Sequence, residues 1–356
     1  MNIEELKEKK KEVEEKYGPW TAHDILLPGG IRTMDYLSGD LEGTKDRLRK
    51  PLSDEEKDYA LHLQAASFWE EYSPSSSHLK RIVQIVSDVC DEPWENLRVL
   101  DLACMEGGFS VEFALRGADV LGIEGREANI AKARFAKQAL SLQNVDFVQD
   151  DVRNVNAEKY GRFDVVLCIG ILYHLDSDSV FLLLENVAEM CDRILVIDTH
   201  VSLRPSSHVT HKDRVYWGVH HREHRPEATD EEKRRNLWQS IDNVESFQPT
   251  RFSLFNFLQH SGFSSVLECS IPPVFWAMGN RSTFVAINGT AISQVYATRE
   301  PLVQEDYSEV DSGRKDSELH VLKSELDSIT KHPSVKLVLL FSRALQKLRS
   351  FVTPRT

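Results

Sequence analysis

Three carboxylates and one aromatic–imidazole pair stand at equivalent points along this chain, each at or near the end of a short apolar run. Asp101 lies in LRVLDLA (97–103), and a Gly107-Gly108 turn follows directly before a helical pattern. Glu124 closes ADVLGIEG (118–125), about 20 residues beyond the first motif. Asp151 closes VDFVQDD (145–151), and Tyr173-His174 lie near the end of FDVVLCIGILYHL (163–175). A glycine turn before a helix lets backbone N–H groups approach a ligand closely. An acid at the second position suits both hydroxyls of a ribose, and an acid at the third suits an adenine amino group. An imidazole near neutral pKa can take the proton of a hydroxyl. Each piece alone has a plain structural explanation: Asp101 as a helix cap, Asp150-Asp151 as solvated loop charge, Gly107-Gly108 as a tight connection, His174 as a structural hydrogen bond. Their occurrence together and in order favours a cofactor cleft.

Such side chains converge only if strands present them at one edge of a sheet. The apolar runs at 97–103, 118–125, 145–151, 163–175 and RILVIDTH (193–200) read as five buried strands. Between them lie the helical patterns FSVEFALRG (109–117), ANIAKARFAKQAL (128–140) and SVFLLLENVAEMC (179–191). Strand–helix alternation of this kind predicts an α/β fold, a doubly wound, Rossmann-like and mainly parallel sheet covered on both faces. Ligands in such sheets bind beyond the carboxyl ends of the strands, where the strand order reverses. His200, at the end of the fifth run, faces the same cleft on this reading and is a second candidate base.

The motifs VLDLACMEGG, VLGIEG, FVQDDV and FDVVLCIGILYHL resemble those of the class I S-adenosylmethionine-dependent methyltransferases, over roughly residues 80–290. The resemblance implies S-adenosyl-L-methionine as cofactor. It places the methionine part on Asp101, Ala103, Met105 and Gly107, the ribose on Glu124 with Gly125, and the adenine on Asp151 with Val152. Ile169 joins this cofactor set, and Tyr173, His174 and His200 are the catalytic candidates. The family's loop carries glycine where this chain has Ala103 and Met105, so the backbone there is expected to take different angles or sit further from the cofactor. G-x-G-x-x-G spacing is absent, which disfavours a nicotinamide dehydrogenase. GILYHL together with PWTAHDILLPGGIRT (19–33) resembles the subgroup around the tRNA wobble-uridine carboxymethyltransferase and related small-molecule and glycan methyltransferases.

The remaining chain divides into a charged N-terminal region (1–75), a methyltransferase domain (76–295) interrupted by an insertion (201–248), and an acidic linker with two amphipathic helices (296–356). Trp20, His23 and Arg32 lie in a loop too apolar for a simple tail, which reads as a helical cap folded over the pocket. The insertion holds His208, His211, His220, His221 and His224 with Arg214, Arg222 and Arg225. It reads as a lid supplying a base and cationic contacts, with a solvated loop and an imidazole metal site as the other readings; no metal site is assigned. The C-terminal helix suits packing, self-association or an anionic membrane surface.

Composition bounds the rest. The 356 residues are 41% hydrophobic and 28% charged, enough for a large core, and 43 basic against 56 acidic residues give a net charge of −13. That balance disfavours general DNA binding. Five scattered cysteines without a C-x-x-C pair, a charged N-terminus and no long apolar stretch point to the cytoplasm. The expected activity is methyl transfer to oxygen, or to nitrogen as a second choice, of a small molecule or glycan. Modification of tRNA, and a catalytically silent cofactor-binding scaffold, stay open as alternatives.

Overall fold

A computed structural model of the chain describes residues 1–34, 74–269 and 280–289. Its centre is a seven-stranded sheet. The strands are β1 (Arg98–Leu102), β2 (Asp119–Glu124), β3 (Val145–Gln149), β4 (Phe163–Ile169), β5 (Cys191–His200), β9 (Ser265–Cys269) and β10 (Arg281–Ile287). They lie in the order β3-β2-β1-β4-β5-β10-β9. The first five are parallel, while β10 runs antiparallel to both β5 and β9. The chain leaves β1 toward β2 and β3, then crosses to β4, so the order reverses beside β1.

Helices cover both faces, as the continuous apolar strands require. Alternate residues of each strand feed opposite cores: Val99, Val165, Leu167 and Val196 pack on one side, and Leu100, Val166, Cys168 and Ile197 on the other. The helices are α1 (Ile3–Tyr17), α2 (Pro74–Val89), α3 (Gly108–Leu115), α4 (Glu127–Ala139), α5 (Ala157–Tyr160), α6 (Ser177–Met190), α7 (Asp230–Arg235) and α8 (Arg251–His260). Helix α1 begins with a capping box between Asn2 and Glu5 and lies against α4. Strand β4 stops at Ile169, six residues short of the apolar run that encodes it, because Gly170 turns the chain at φ 80°.

The 201–248 insertion is more ordered than its polarity suggests. It contains β6 (Ser207–His211) and β7 (Arg214–Arg222), which with β8 (Glu245–Pro249) form a separate three-stranded antiparallel sheet. Alternating Val, Tyr and Trp residues supply the strand pattern, and the His and Arg residues occupy mainly its half-buried and exposed positions. Among the described residues no helix is long and apolar enough to cross a membrane. The expected linker and C-terminal helices, and most of residues 35–75, lie outside the described residues.

Candidate active site

A cleft of about 330 Å³ opens where the strand order reverses. Of the residues singled out from sequence, Ala103, Met105, Glu124, Gly125, Asp151 and Val152 line it. Ile169, Tyr173 and His174 line it as well, whereas Asp101, Gly107 and His200 do not.

The loop after β1 is built around left-handed residues. Ala103 has φ 53° and Met105 φ 49°, angles that glycine reaches without cost. Both residues therefore take a turn of the kind that glycine favours. Cβ atoms here cost about 1–2 kcal/mol each, and neighbouring bonds hold the turn. The Cys104 N–H donates to the Ile123 carbonyl at 3.0 Å, and the Met105 N–H to Glu124 Oε2 at 3.1 Å. Gly107, at φ 81°, caps α3, and a Cβ there would lie 2.9 Å from Ala133 Cβ. Asp101 sits beneath the loop, 1% exposed, accepting from Ser110 Oγ at 2.6 Å. Burial pushes its carboxyl up to about 7.

Glu124 ends β2 as a buried carboxylate that also accepts from the Arg126 N–H at 2.8 Å. Burial raises its pKa against these hydrogen bonds. Its two oxygens keep further lone pairs for a ligand in the cleft. Asp151 is less free: Arg153 Nε reaches both of its oxygens, at 2.9 and 3.0 Å, and the same guanidinium reaches Asp242 at 2.6 Å. Ion pairing thus joins the end of β3 to the 237–243 segment of the insertion, which roofs this side of the cleft.

At the other end, His174 Nδ1 lies 2.9 Å from Glu223 Oε2. Glu223 is 4% exposed and also accepts from the Ser240 N–H and Ser246 Oγ, each at 2.8 Å. Burial alone would raise its carboxyl, but the bond to His174 and the other donors hold it below its ordinary value. The Tyr173 ring packs on His174 at 4.3 Å and on His200 at 4.6 Å between centroids. Burial raises the Tyr173 phenol and lowers His200, whose Nδ1 is 3.1 Å from Asn280 Oδ1. Arg281 lines the same end and donates to buried Asp198 at 2.6 Å.

The N-terminal segment closes the remaining side. Thr21, Ala22 and His23 line the cleft, and Trp20 is buried against Phe135. Glu106 and Lys132 form a fully buried ion pair at 3.1 Å. The Glu106 carboxylate accepts the N–H groups of Thr21, Ala22 and His23 at 2.8, 2.9 and 3.0 Å, and Lys132 donates to the Pro19 carbonyl at 2.6 Å. His23 Nδ1 accepts from the Gly108 N–H at 3.0 Å, and desolvation drops its pKa to about 4. Arg32, grouped with Trp20 and His23 in sequence, points elsewhere and pairs with Asp24 at 2.5 Å.

Sequence reasoning missed Glu106, Lys132, Arg126, Glu223, Asp198 and Arg281. Lys132 left a trace, a cation among the apolar positions Ile130, Ala133 and Ala136 of α4. Glu223 left none, being one acid within HHREHR. The five histidines and three arginines singled out in the insertion do not line the cleft. The insertion contributes instead the 237–243 roof, and Glu223, which bonds His174 without lining the cleft. Among the described residues no three His, Cys, Asp or Glu side chains converge on a metal position.

Known proteins resemble the chain over part of its length. Residues 94–245 match the family model described as "Methyltransferase domain". The "Ubiquinone biosynthesis O-methyltransferase" of Acinetobacter baumannii (strain AYE) is 30% identical over 140 residues, 38% of this chain and 56% of that protein. The Escherichia coli "O-antigen chain terminator bifunctional methyltransferase/kinase WbdD" is 28% identical over 149 residues, 37% of this chain and 19% of that one. The chain therefore spans little more than half of the first relative and less of the second. In fold, the N-terminal domain of EvdMO1 with SAH bound superposes with a TM-score of 0.54 at 23% identity, covering 81% of this chain and 97% of that one. Strand order and the matched model agree: residues 94–245 carry a methyltransferase domain within a Rossmann-like fold.

Proposed function

We propose that this chain methylates a hydroxyl oxygen of a small molecule or glycan, with S-adenosylmethionine as donor and His174 as general base. The observation that carries the reading is the 2.9 Å bond between His174 Nδ1 and the buried Glu223 carboxylate at the rim of the cleft. A carboxylate at Nδ1 fixes the tautomer whose Nε2 bears a lone pair, the form a general base needs. Tyr173 packs on the imidazole and limits its rotation.

The cleft suits the cofactor. Its volume of about 330 Å³ falls within the range of small-molecule sites, about 300–1,000 Å³. Glu124 offers carboxylate lone pairs, and Asn129, 1% exposed and lining the cleft, has an Oδ1 without a hydrogen-bond partner. Ala103 and Met105 bring backbone to the wall; Gly125, Val152 and Ile169 complete it, while Asp151 contributes from within its pair with Arg153. Asp101 and Gly107 act on this reading by shaping the loop from beneath. The bound cofactor supplies an electrophilic methyl group on a sulfonium. The chain aligns the acceptor hydroxyl, and His174 Nε2 takes its proton as the oxygen becomes nucleophilic.

The relative named as an O-methyltransferase of ubiquinone biosynthesis favours oxygen as the accepting atom, and the one named as an O-antigen chain terminator favours a glycan. Five unpaired cysteines, four of them buried, suit the reducing cytoplasm. Calorimetry with S-adenosylhomocysteine, followed by methyl-incorporation assays on phenols, sugars and unmodified tRNA, tests the reading. Binding that Glu124→Ala weakens at least tenfold supports it. So does transfer to a hydroxyl acceptor that His174→Ala slows about 10²–10⁴-fold while leaving cofactor affinity intact. Absence of binding, unimpaired transfer by His174→Ala, or incorporation into tRNA alone would overturn it.

A further inference from the structure

Ser240 is gripped at both sides of its peptide links. Its N–H donates to Glu223 Oε2 at 2.8 Å, the same oxygen that lies 2.9 Å from His174 Nδ1. Its carbonyl accepts from Arg126 Nη2 at 3.2 Å and lies 2.9 Å from His224 Nε2. Arg126 does more than touch this one carbonyl. Nη2 also reaches the carbonyls of Asn236 and Gln239 at 3.0 and 2.8 Å, and Nε that of Arg234 at 3.3 Å. The backbone of Arg126 meanwhile donates to Glu124 Oε1 at 2.8 Å. One residue thus bonds the carboxylate at the end of β2 through its main chain and holds the 234–240 turn through its side chain.

We propose that Arg126 is a positioning residue for the base: by fixing Ser240, it seats the Glu223 carboxylate on His174, and so ties the cofactor end of the cleft to its acceptor end. The role follows from geometry and from the fork of the guanidinium. Carbonyls of residues 236, 239 and 240 point at a single nitrogen, an arrangement that a lysine ammonium can reproduce only in part. Glu223 is buried, so its orientation depends on its donors: the Ser240 N–H, Ser246 Oγ and His174. Ser246 bonds the other carboxylate oxygen, so the Ser240 N–H is the protein donor that shares Oε2 with the imidazole. Releasing the turn removes that donor and leaves the carboxylate free to rotate away from Nδ1.

The inference rests on the reading of His174 as base, but its test does not require turnover. The Nδ1 proton between His174 and Glu223 is expected as a downfield signal in the proton NMR spectrum of the full chain saturated with S-adenosylhomocysteine. Imidazole–carboxylate pairs also occur at His78–Asp198 and His211–Glu185, so the signal is identified by its loss in Glu223→Gln. Arg126→Ala is expected to broaden or abolish it with S-adenosylhomocysteine kept saturating. Arg126→Lys, which keeps the charge, is expected to broaden it partly and serves if the alanine variant fails to fold. An unchanged shift and line width in either folded variant would overturn the proposal. Full methyl transfer by His174→Ala would overturn the base assignment alone, since the NMR signal reads the Arg126 contact independently.

Discussion

Replacing Glu106 with glutamine tests whether the N-terminal segment is held over the cleft by a buried charge. The Glu106 and Lys132 side chains are both 0% exposed and 3.1 Å apart. Glutamine keeps one oxygen for the Thr21–His23 amides but turns an NH₂ group toward donors now bonded at 2.8–3.0 Å. Lys132 loses its counter-charge and keeps only the Pro19 carbonyl. Breaking a buried pair by removing one partner costs about 3–5 kcal/mol. At about 2–4 °C per kcal/mol for a domain of this size, the melting temperature should fall by about 6–20 °C.

The loss should begin locally. Trp20, Leu27 and Leu6 are buried beneath or beside the strap, so its release exposes apolar surface and the Arg32 peptide bond to trypsin. Melting by circular dichroism and timed trypsin digestion follow the two effects. Glu106→Gln combined with Lys132→Met should recover most of the loss, because the stranded ammonium is gone and the amide still accepts. A single variant within about 1 kcal/mol of the parent, or a double variant no more stable than the single, would show that the pair does not hold the strap.

Asp101→Asn should change how stability depends on pH. The folded carboxyl titrates at about 7 and the unfolded one at about 3.9, so the folded state binds the extra proton and stability falls as pH rises from about 4 to about 7. Urea melts should find the variant level with the parent near pH 4 and about 4 kcal/mol better at pH 8, at about 1.36 kcal/mol per unit. Ala103→Gly trades a left-handed alanine for the residue that prefers that angle. Chemical denaturation should find it neutral to about 1 kcal/mol more stable, where an ordinary Ala→Gly change loses about 0.5–1 kcal/mol. Amide hydrogen exchange should find Ser240 opening before Ala22 and His23, because the loop's outer fastening, Arg153–Asp242, is 29% and 50% exposed and such pairs are worth only about 0–1 kcal/mol.

The floor of the cleft was legible because its signals are local. Asp101, Glu124 and Asp151 stand at or just beyond ends of β-branched apolar runs, and a parallel sheet brings such ends to one edge. The backbone angles of Ala103 and Met105 were not legible from residue type. Their identity argues against a left-handed turn, yet the Cys104–Ile123 and Met105–Glu124 bonds impose one. The insertion misled the reading from sequence. A high density of His and Arg drew attention to imidazoles, whereas the insertion lines the cleft with its 237–243 turn and reaches His174 through Glu223. Nothing in the spacing of Glu223 from His174, 49 residues apart, marks them as partners.

What closes the cleft depends on pairs that no periodicity encodes. Glu106–Lys132, Arg126–Ser240 and Arg153–Asp242 join segments 26, 114 and 89 residues apart. The pairs differ in depth as well as in distance. The N-terminal strap is fastened by charges without solvent access, so its release must strand a charge or expose Trp20. The insertion roof is fastened by an arginine fork on backbone carbonyls and by a partly exposed ion pair, either of which water can replace. Ligand exchange through the roof is therefore expected to meet the smaller barrier, and the roof carries the Ser240 N–H that bonds Glu223. On the proposed assignment of His174 as base, its alignment by Glu223 depends on the roof, so opening the cleft and releasing the base are expected to be one motion.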